Sequence, residues 1–410
     1  MTDTPSTAAP DARTADRYEI RLLVILFLSF GFVFFDRQAL SFLAPYMDKD
    51  FGLSNAELGT LSGVLALTWA LAGMFAGRLS DALGRRKPIL IVAVVLFSLF
   101  SASSGLMGGF AGLLVARALM GTAEGAVLPM AQSLMVEASR ESRRGLNMGL
   151  LQGSSAGLLG GILAPLVVVW IAETYDWRVA FYVTIVPGLI MAVLIWKFVR
   201  ERSPRAQHTR EGESAVKVPL GEVLRLRNIV VCMLIACCYL TWFVTIITFT
   251  PTFTPGTMSG VMTCLGAAWV LWGFVTPAIS DRIGRKPALI GFTALAVCCP
   301  LAVVYVGNPV LLGAIMVVTY TGLGCFTLFM ATIPAETVPR AALATALGVI
   351  MGVGELAGGF LGPMIAGWAS DQWGLQAAMF IAAGGAVVVV ALCFALKETA
   401  PAVLRRRAVA

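Results

Sequence analysis

The sequence has few charged side chains, a single histidine and no cysteine pattern, and each shortage excludes a class of protein. Only 13% of the 410 residues are Asp, Glu, Lys or Arg, while 58% are hydrophobic. Soluble proteins average about 25% charged and about 45–50% apolar residues, so most of this chain is expected to lie in a membrane. Intrinsic disorder is excluded by the same apolar content. The only histidine, His208, lies in a polar segment between apolar runs. Histidine-based catalysis and most transition-metal sites are therefore excluded.

Cysteine usage and net charge exclude further ligands. All eight cysteines lie inside apolar stretches without metal-ligand spacing, so we expect packing residues and no disulfide or redox site. The net charge of +7 does not indicate nucleic-acid binding, because the basic residues flank apolar segments and form no single basic face. We expect no metal, no cofactor and no nucleic acid, and a monomer surrounded by a lipid bilayer.

Twelve apolar runs of membrane-spanning length follow one another along the chain, since a transmembrane helix needs about 20 apolar residues. Residues 1–19 and 399–410 are polar tails, 20–199 and 228–398 each contain six runs, and 200–227 form a polar linker. Twelve helices leave no room for a catalytic domain, so the sequence does not indicate an enzyme. The predicted fold is an all-α membrane protein of two pseudo-symmetric six-helix bundles.

Lys and Arg are concentrated on one side of the predicted membrane. All but four of the 30 lie on the side of the amino terminus, the exceptions being Arg37, Lys49, Arg117 and Arg178. Cytoplasmic loops retain basic residues, so both termini and the linker are predicted to face the cytoplasm from the inner membrane. Residues 1–19 have no apolar core, so the first helix is predicted to be an uncleaved anchor.

An internal repeat relates the two halves. The polar loop at 77–88, between the second and third helices, recurs at 278–287. The shared positions are Asp81, Gly84 and Arg85 in the first copy and Asp281, Gly284 and Arg285 in the second, and Gly77 begins the first copy. Parallel repeats of this kind are typical of transporters that bind substrate near the midplane, between the halves.

With this loop and its copy, the sequence resembles the major facilitator superfamily over essentially its whole length. The resemblance implies transport by alternating access. Gly84 allows a tight turn, and Asp81 can accept hydrogen bonds from a neighbouring helix start or from Arg85. We therefore predict that these charges latch the cytoplasmic side in one state and release it in the other. The alternative is that the basic residues only fix topology, which explains neither Asp81 nor the repeat.

Five ionisable residues lie inside apolar helices: Asp36, Arg37, Arg117, Glu124 and Glu355. Each costs at least about 2.5–3.5 kcal/mol at a helix centre, so such residues usually face a cavity and pair with one another. Asp36 and Arg117 are expected at similar depth. Glu124 follows Arg117 by seven residues, which returns it to the same helical face about 10 Å deeper. The alternative is a set of static ion pairs that lock the helices together.

The Asp36-Arg37 pair and the segment from Arg117 to Glu124 resemble the anion:cation symporter family, with the spinster-like transporters of lipids second. Members of the anion:cation symporter family move organic anions such as sugar acids together with protons. The resemblance implies that Asp36 and Glu124 carry protons, while Arg37 and Arg117 govern substrate binding and coupling. The implied function is proton-coupled symport of a small organic anion, driven by the proton gradient. The open alternative is a proton-coupled exporter of drugs or lipids.

Glu355 departs from the neutral residue expected at its place in anion symporters. It lies about 20 Å into the eleventh helix from the cytoplasmic end, and so approaches the cavity from the second half. We expect it to hydrogen-bond substrate or to act as an additional proton site. The alternative is a packing residue.

Overall fold

The computed structural model of the protein describes residues 12–83, 85–140, 143–200, 220–401 and 403–405. These residues form helices and short connections, with no β-strand among them. Twelve helices in this part of the chain are long and apolar enough to cross a membrane. The predicted all-α fold with two sets of six membrane helices is confirmed.

The membrane helices are labelled α1 to α12 in chain order. They are Asp16–Phe51, Asn55–Ala76, Lys87–Ser104, Phe110–Ala138, Asn147–Thr174, Trp177–Phe198, Arg227–Phe253, Met258–Ile283, Arg285–Tyr305, Pro309–Thr337, Thr345–Trp373 and Gln376–Phe394. A short helix, Leu220–Val223, precedes α7. Polar residues cap several ends. Asp176 accepts a hydrogen bond from the Arg178 amide at the start of α6, and Asn308 accepts from the first amides of α10.

Four membrane helices are irregular in their interiors. A turn at Gly125 and Ala126 divides α4 directly after Glu124. Wider, π-helical turns occur in α5, α10 and α11, and the one in α11 begins at Glu355. Such turns are frequent at functional sites because they re-aim side chains within a helix. Two of the five ionisable residues therefore lie at helix irregularities.

Both described chain ends lie at one face of the protein. The amide of Arg200, at the end of α6, donates to the Tyr18 hydroxyl at the start of α1. Asn228, at the start of α7, exchanges hydrogen bonds with the backbone of Lys397 beyond the end of α12. We call this face the linker face, because the segment between α6 and α7 starts and ends there. The opposite face is called the far face.

The two halves contact each other in the part of the protein next to the far face. Gly59 of α2 lies directly against the backbone of Pro363 in α11, and Gly161 of α5 lies against Gly266 of α8. A side chain at either glycine would overlap the opposite helix, so these positions allow close helix approach. Asp371, near the end of α11, accepts hydrogen bonds from the Asn55 amide, the Asn55 side chain and the Ala56 amide at 2.9, 3.0 and 2.9 Å.

The same helices diverge toward the linker face. Gly149 of α5 and Gly348 and Gly352 of α11 have no atom of another described helix within 4 Å of the place a side chain would occupy. Close packing near the far face, combined with open space near the linker face, shows that the protein is closed on the far side and open on the linker side.

Candidate functional site between the two halves

The five ionisable residues predicted from the sequence lie in the interior of the bundle. Asp36, Arg117 and Glu124 are at most 1% exposed, Glu355 is 5% exposed, and Arg37 is half-buried. Helices α1 and α4 of the first half supply four of them, and α11 of the second half supplies Glu355.

The Arg117 side chain is held on one side only. Its Nη1 atom donates to the backbone oxygen of Arg37 at 3.4 Å and approaches the Met120 sulfur at 3.8 Å. Its guanidinium carbon lies 5.9 Å from the centre of the Phe181 ring. The Nε and Nη2 atoms are buried and have no hydrogen-bond partner among the described residues. These two atoms form one edge of the guanidinium, the edge that can bind a carboxylate through two parallel hydrogen bonds.

Arg37 is positioned by aromatic rings. Its guanidinium carbon lies 5.4 Å from the centre of the Trp69 ring of α2 and 5.8 Å from that of Phe34. Cation–π contacts of this length fix the side chain and leave its N–H groups available for other acceptors.

The carboxyl groups of the first half are close to these arginines but incompletely bonded. Asp36 lies beside the hydroxyls of Ser101 and Thr184, which are 3.0 Å apart. One of its oxygens and both oxygens of Glu124 have no hydrogen-bond partner in the described part of the chain. Asp36 and Glu124 each interact electrostatically with Arg117. The sequence had indicated this grouping of α1 and α4, but not the two hydroxyls.

None of the five residues forms a salt bridge with any carboxylate or cation that the structure describes. A static lock would need direct ion pairs, so the alternative of helix-locking pairs does not match this state of the protein. Buried polar atoms are nearly always hydrogen-bonded, and exceptions call for an explanation such as a ligand or a change of protonation. The arrangement is one that can accept an anion and a proton.

Glu355 lies at the boundary between the halves. One of its oxygens stands directly beside Gly359, one helical turn further along α11, at a position that also faces Ala66 of α2. That oxygen is buried and has no hydrogen-bond partner among the described residues. The Glu355 carboxylate interacts electrostatically with Arg37 of the first half. Its proposed contact with substrate or protons stays a prediction.

Hydroxyl side chains next to the buried charges were not predicted from the sequence. Ser98, Ser101 and Ser104 recur every third position of α3 and are all buried, a polar stripe in an apolar helix that could have been noticed. Thr184 carries no such signal. Among the aromatics, Trp242 and Trp272 donate to backbone oxygens of their own half and are packing residues.

The first copy of the repeated loop lies partly outside the described residues. Gly84 and the surroundings of Gly77 and Asp81 fall there. Arg85 is exposed and has no salt bridge to a described residue, whereas Arg86 forms a salt bridge with Glu137. The equivalent of Arg285 is therefore Arg86, one position later than we expected, because the first copy contains one additional basic residue.

The second copy is fully described. Gly284 has a φ of +113°, which favours glycine. Arg285 forms salt bridges with Asp281 at 2.5 Å and Glu336 at 2.9 Å, and Glu398 accepts from the Arg285 amide at 2.8 Å. All these partners belong to the second half. With the linker face open, these charges thus bind partners within their own half. Their role as a latch of the state closed at the linker face stays a prediction.

The duplicated loops confirm the repeat in atomic detail. Lys87 donates to the backbone oxygen of Trp196, and Lys286 donates to that of Phe394, both at 2.7 Å.

Two six-helix halves related by a repeat, with ionisable groups buried at their boundary, define a membrane transporter and not an enzyme. The chain belongs to the Major Facilitator Superfamily, whose family model matches residues 26–360.

Relatives agree with this assignment. A Cupriavidus pinatubonensis protein named "Probable 4-methylmuconolactone transporter" is 32% identical over 88% of this chain and 85% of its own. The hexuronate transporter of Bacillus subtilis is 28% identical over 91% and 93%. A solved bacterial homolog of the human lysosomal transporter Spinster, inward-facing and unoccupied, aligns with a TM-score of 0.75 at 18% identity over 92% and 96%, which shows the fold. The resemblance found in the sequence is confirmed.

Proposed function

We propose that the protein is a secondary active transporter that carries a small organic anion, a sugar acid or another carboxylate, together with protons. Its curated relatives support the substrate class, since they are named as transporters of hexuronate, cis,cis-muconate and gallate. We infer an inner-membrane location with the linker face in the cytoplasm, because almost all Lys and Arg lie on that side. The open linker side is then the inward-open state.

The observation that carries the proposal is the free edge of Arg117. Its Nε and Nη2 atoms are buried without a partner among the described residues, and no described carboxylate forms a salt bridge with it. A substrate carboxylate can occupy this edge through two charge-assisted hydrogen bonds. Arg37, held over Trp69, supplies a second positive charge. A neutral drug or lipid does not need this arrangement, so the geometry favours an anion over the exporter alternative.

Glu124 is the group that we propose binds the proton. Holding an unpaired carboxylate inside a membrane is unfavourable, and protonation removes that charge. When a substrate anion binds Arg117, the arginine no longer compensates Glu124, so proton binding is favoured. Asp36 is the second proton carrier. The five central residues are two arginines and three carboxylates, which carry one excess negative charge when all are ionised. A bound anion would add to that negative charge, so we expect each anion to be accompanied by at least one proton.

Proton-driven uptake into proteoliposomes tests this function. The purified full-length protein is reconstituted and given hexuronate, cis,cis-muconate or gallate with an acidic exterior, and the neutral amide of each compound serves as the matched substrate control. We expect at least one acid to accumulate, its amide not to accumulate, and a protonophore to abolish the accumulation. Arg117→Lys keeps the charge but loses the two-pronged edge, so uptake should fall strongly. Gradient-driven export of long-chain amphiphiles, without uptake of any acid, would overturn the proposal.

A further inference from the structure

A second cationic site lies at the linker face, away from the five central residues. Arg17 and Arg21 of α1 and Arg200 at the end of α6 line a pocket of about 180 Å³, together with Tyr18 and Phe198. The positively charged groups of this pocket belong entirely to the first half.

No described acidic residue neutralises this pocket. Arg17, Arg21 and Arg200 form no salt bridge with any residue that the structure describes. The described acidic residues nearest to Arg17 and Arg21 in the sequence are engaged elsewhere. Asp16 forms a salt bridge with Arg140, and Glu19 is buried and accepts a hydrogen bond from Asn147 at 2.6 Å. As far as the described residues show, the three positive charges are therefore available to an external anion.

Aromatic contacts hold two of the arginines in place. The guanidinium of Arg21 lies 5.3 Å from the centre of the Phe198 ring, and that of Arg200 lies 5.2 Å from the centre of the Tyr18 ring. The Tyr18 hydroxyl also accepts a hydrogen bond from the Arg200 amide at 3.1 Å. A pocket with prepositioned guanidinium groups loses less conformational entropy when an anion binds.

The second half shows that the fold does not require such a pocket. A pocket at the end of α12, which corresponds to α6 in the repeat, is lined by Lys286, Lys397 and Glu398. There the carboxylate of Glu398 accepts from the backbone amides of Arg285 and Lys286. The second-half pocket thus contains its own anion, whereas no described acidic residue lines the first-half pocket.

The surface next to the first-half pocket is apolar. Ile20 and Val24 of α1 and Val193 and Trp196 of α6 are each more than half exposed. Positions 17, 20, 21 and 24 recur at helical spacing, so the arginines and these apolar residues share one face of α1. In a membrane protein this face contacts acyl chains, and an exposed tryptophan is typical of the interface between lipid and water. The pocket therefore lies beside a face along which acyl chains can lie.

We propose that this pocket binds the phosphate of an anionic phospholipid, with the acyl chains lying along α1 and α6. Basic pockets between membrane helices are known to bind anionic headgroups, and each nearby Lys or Arg contributes about 1 kcal/mol. The site is separate from the transported substrate, so it stands independently of the proposed function.

Lipid titration of the purified full-length protein, followed by native mass spectrometry, tests the site. The probes are phosphatidylglycerol, zwitterionic phosphatidylcholine and inorganic phosphate. The wild-type protein should bind phosphatidylglycerol more tightly than phosphatidylcholine, and inorganic phosphate should not displace the lipid. Arg21→Gln should weaken phosphatidylglycerol binding about fivefold, and the triple change of Arg17, Arg21 and Arg200 to Gln about a hundredfold.

The matched control changes three exposed cations of the linker face in the second half, Arg225, Arg227 and Lys397, to Gln. This variant loses the same charge but leaves the pocket intact, so its lipid affinity should stay within about twofold of wild type. An equal loss in both triple variants would reveal general attraction to a basic face and overturn the proposal. Displacement of the lipid by inorganic phosphate would also overturn it, because the ligand would then be the free anion.

Discussion

Closure of the far face depends on a contact between residues more than 300 positions apart. The Asp371 carboxylate, on α11, accepts three hydrogen bonds from Asn55 and Ala56 at the start of α2. This contact joins the two halves and can exist only while the far face is closed. We therefore predict that Asp371→Ala shifts the conformational equilibrium toward the state open at the far face.

The magnitude follows from the type of contact. Losing a side-chain acceptor at a helix start costs about 0.5–2 kcal/mol, and the negative charge near a helix amino terminus adds about 0.3–1 kcal/mol. Because Asp371 is exposed and Asn55 is partly exposed, solvent screens this contact and the lower half of this range applies. A loss of about 1.4 kcal/mol would change the ratio of far-closed to far-open protein about tenfold.

Distances between spin labels measure this ratio. Leu106 and Val310 are exposed at the far face on opposite halves, so labels at these positions report opening, in a background lacking the eight native cysteines. Ser54→Ala is the matched control, since the Ser54 hydroxyl accepts from the Glu57 amide at the same helix start but binds no second-half residue. Asp371→Ala should populate longer distances and Ser54→Ala should not. Unchanged distances in Asp371→Ala, or the same shift in both variants, would refute the argument.

Three further predictions concern other parts of the molecule. Glu355→Gln should alter substrate affinity or the pH dependence of transport, measured as initial uptake rates, and an unchanged profile would leave Glu355 as a packing residue. Asp81→Asn should weaken the state closed at the linker face by about 1.5–3 kcal/mol, and spin-label distances across the linker face should lengthen. A cysteine introduced at position 210 should resist an impermeant thiol reagent added outside cells, while one replacing Lys49 should react; the reverse result would invert the predicted topology.

The fold could be predicted from the sequence because its signals are long and redundant. Twelve apolar runs each exceed what chance produces in a soluble chain, and the recurrence of Asp81 at Asp281 relates the halves. The buried charges were equally visible, since Asp36 and Glu124 interrupt helices in which any charge is unfavourable. Their grouping followed from helix spacing alone.

Contacts between distant segments could not be predicted in this way. Asn55 and Asp371 are ordinary polar residues near helix ends, and nothing in either segment indicates that they meet. The first copy of the repeated loop has an additional arginine after Gly84, so the sequence alone cannot decide whether Arg85 or Arg86 corresponds to Arg285. The free edge of Arg117 depends on a hydrogen bond to the Arg37 backbone, which only the packing of α1 against α4 establishes.

The most direct test of the central claim is proton-driven accumulation by Glu124→Gln. Glutamine mimics the protonated carboxyl group, so this variant should retain counterflow exchange of the organic anion but lose accumulation driven by a proton gradient. Glu19→Gln is the matched control, because Glu19 is buried in the same half but accepts a hydrogen bond from Asn147, away from the five central residues. It should accumulate substrate as wild type does. Accumulation by Glu124→Gln against a gradient would contradict the account, since the proton would then move through another group.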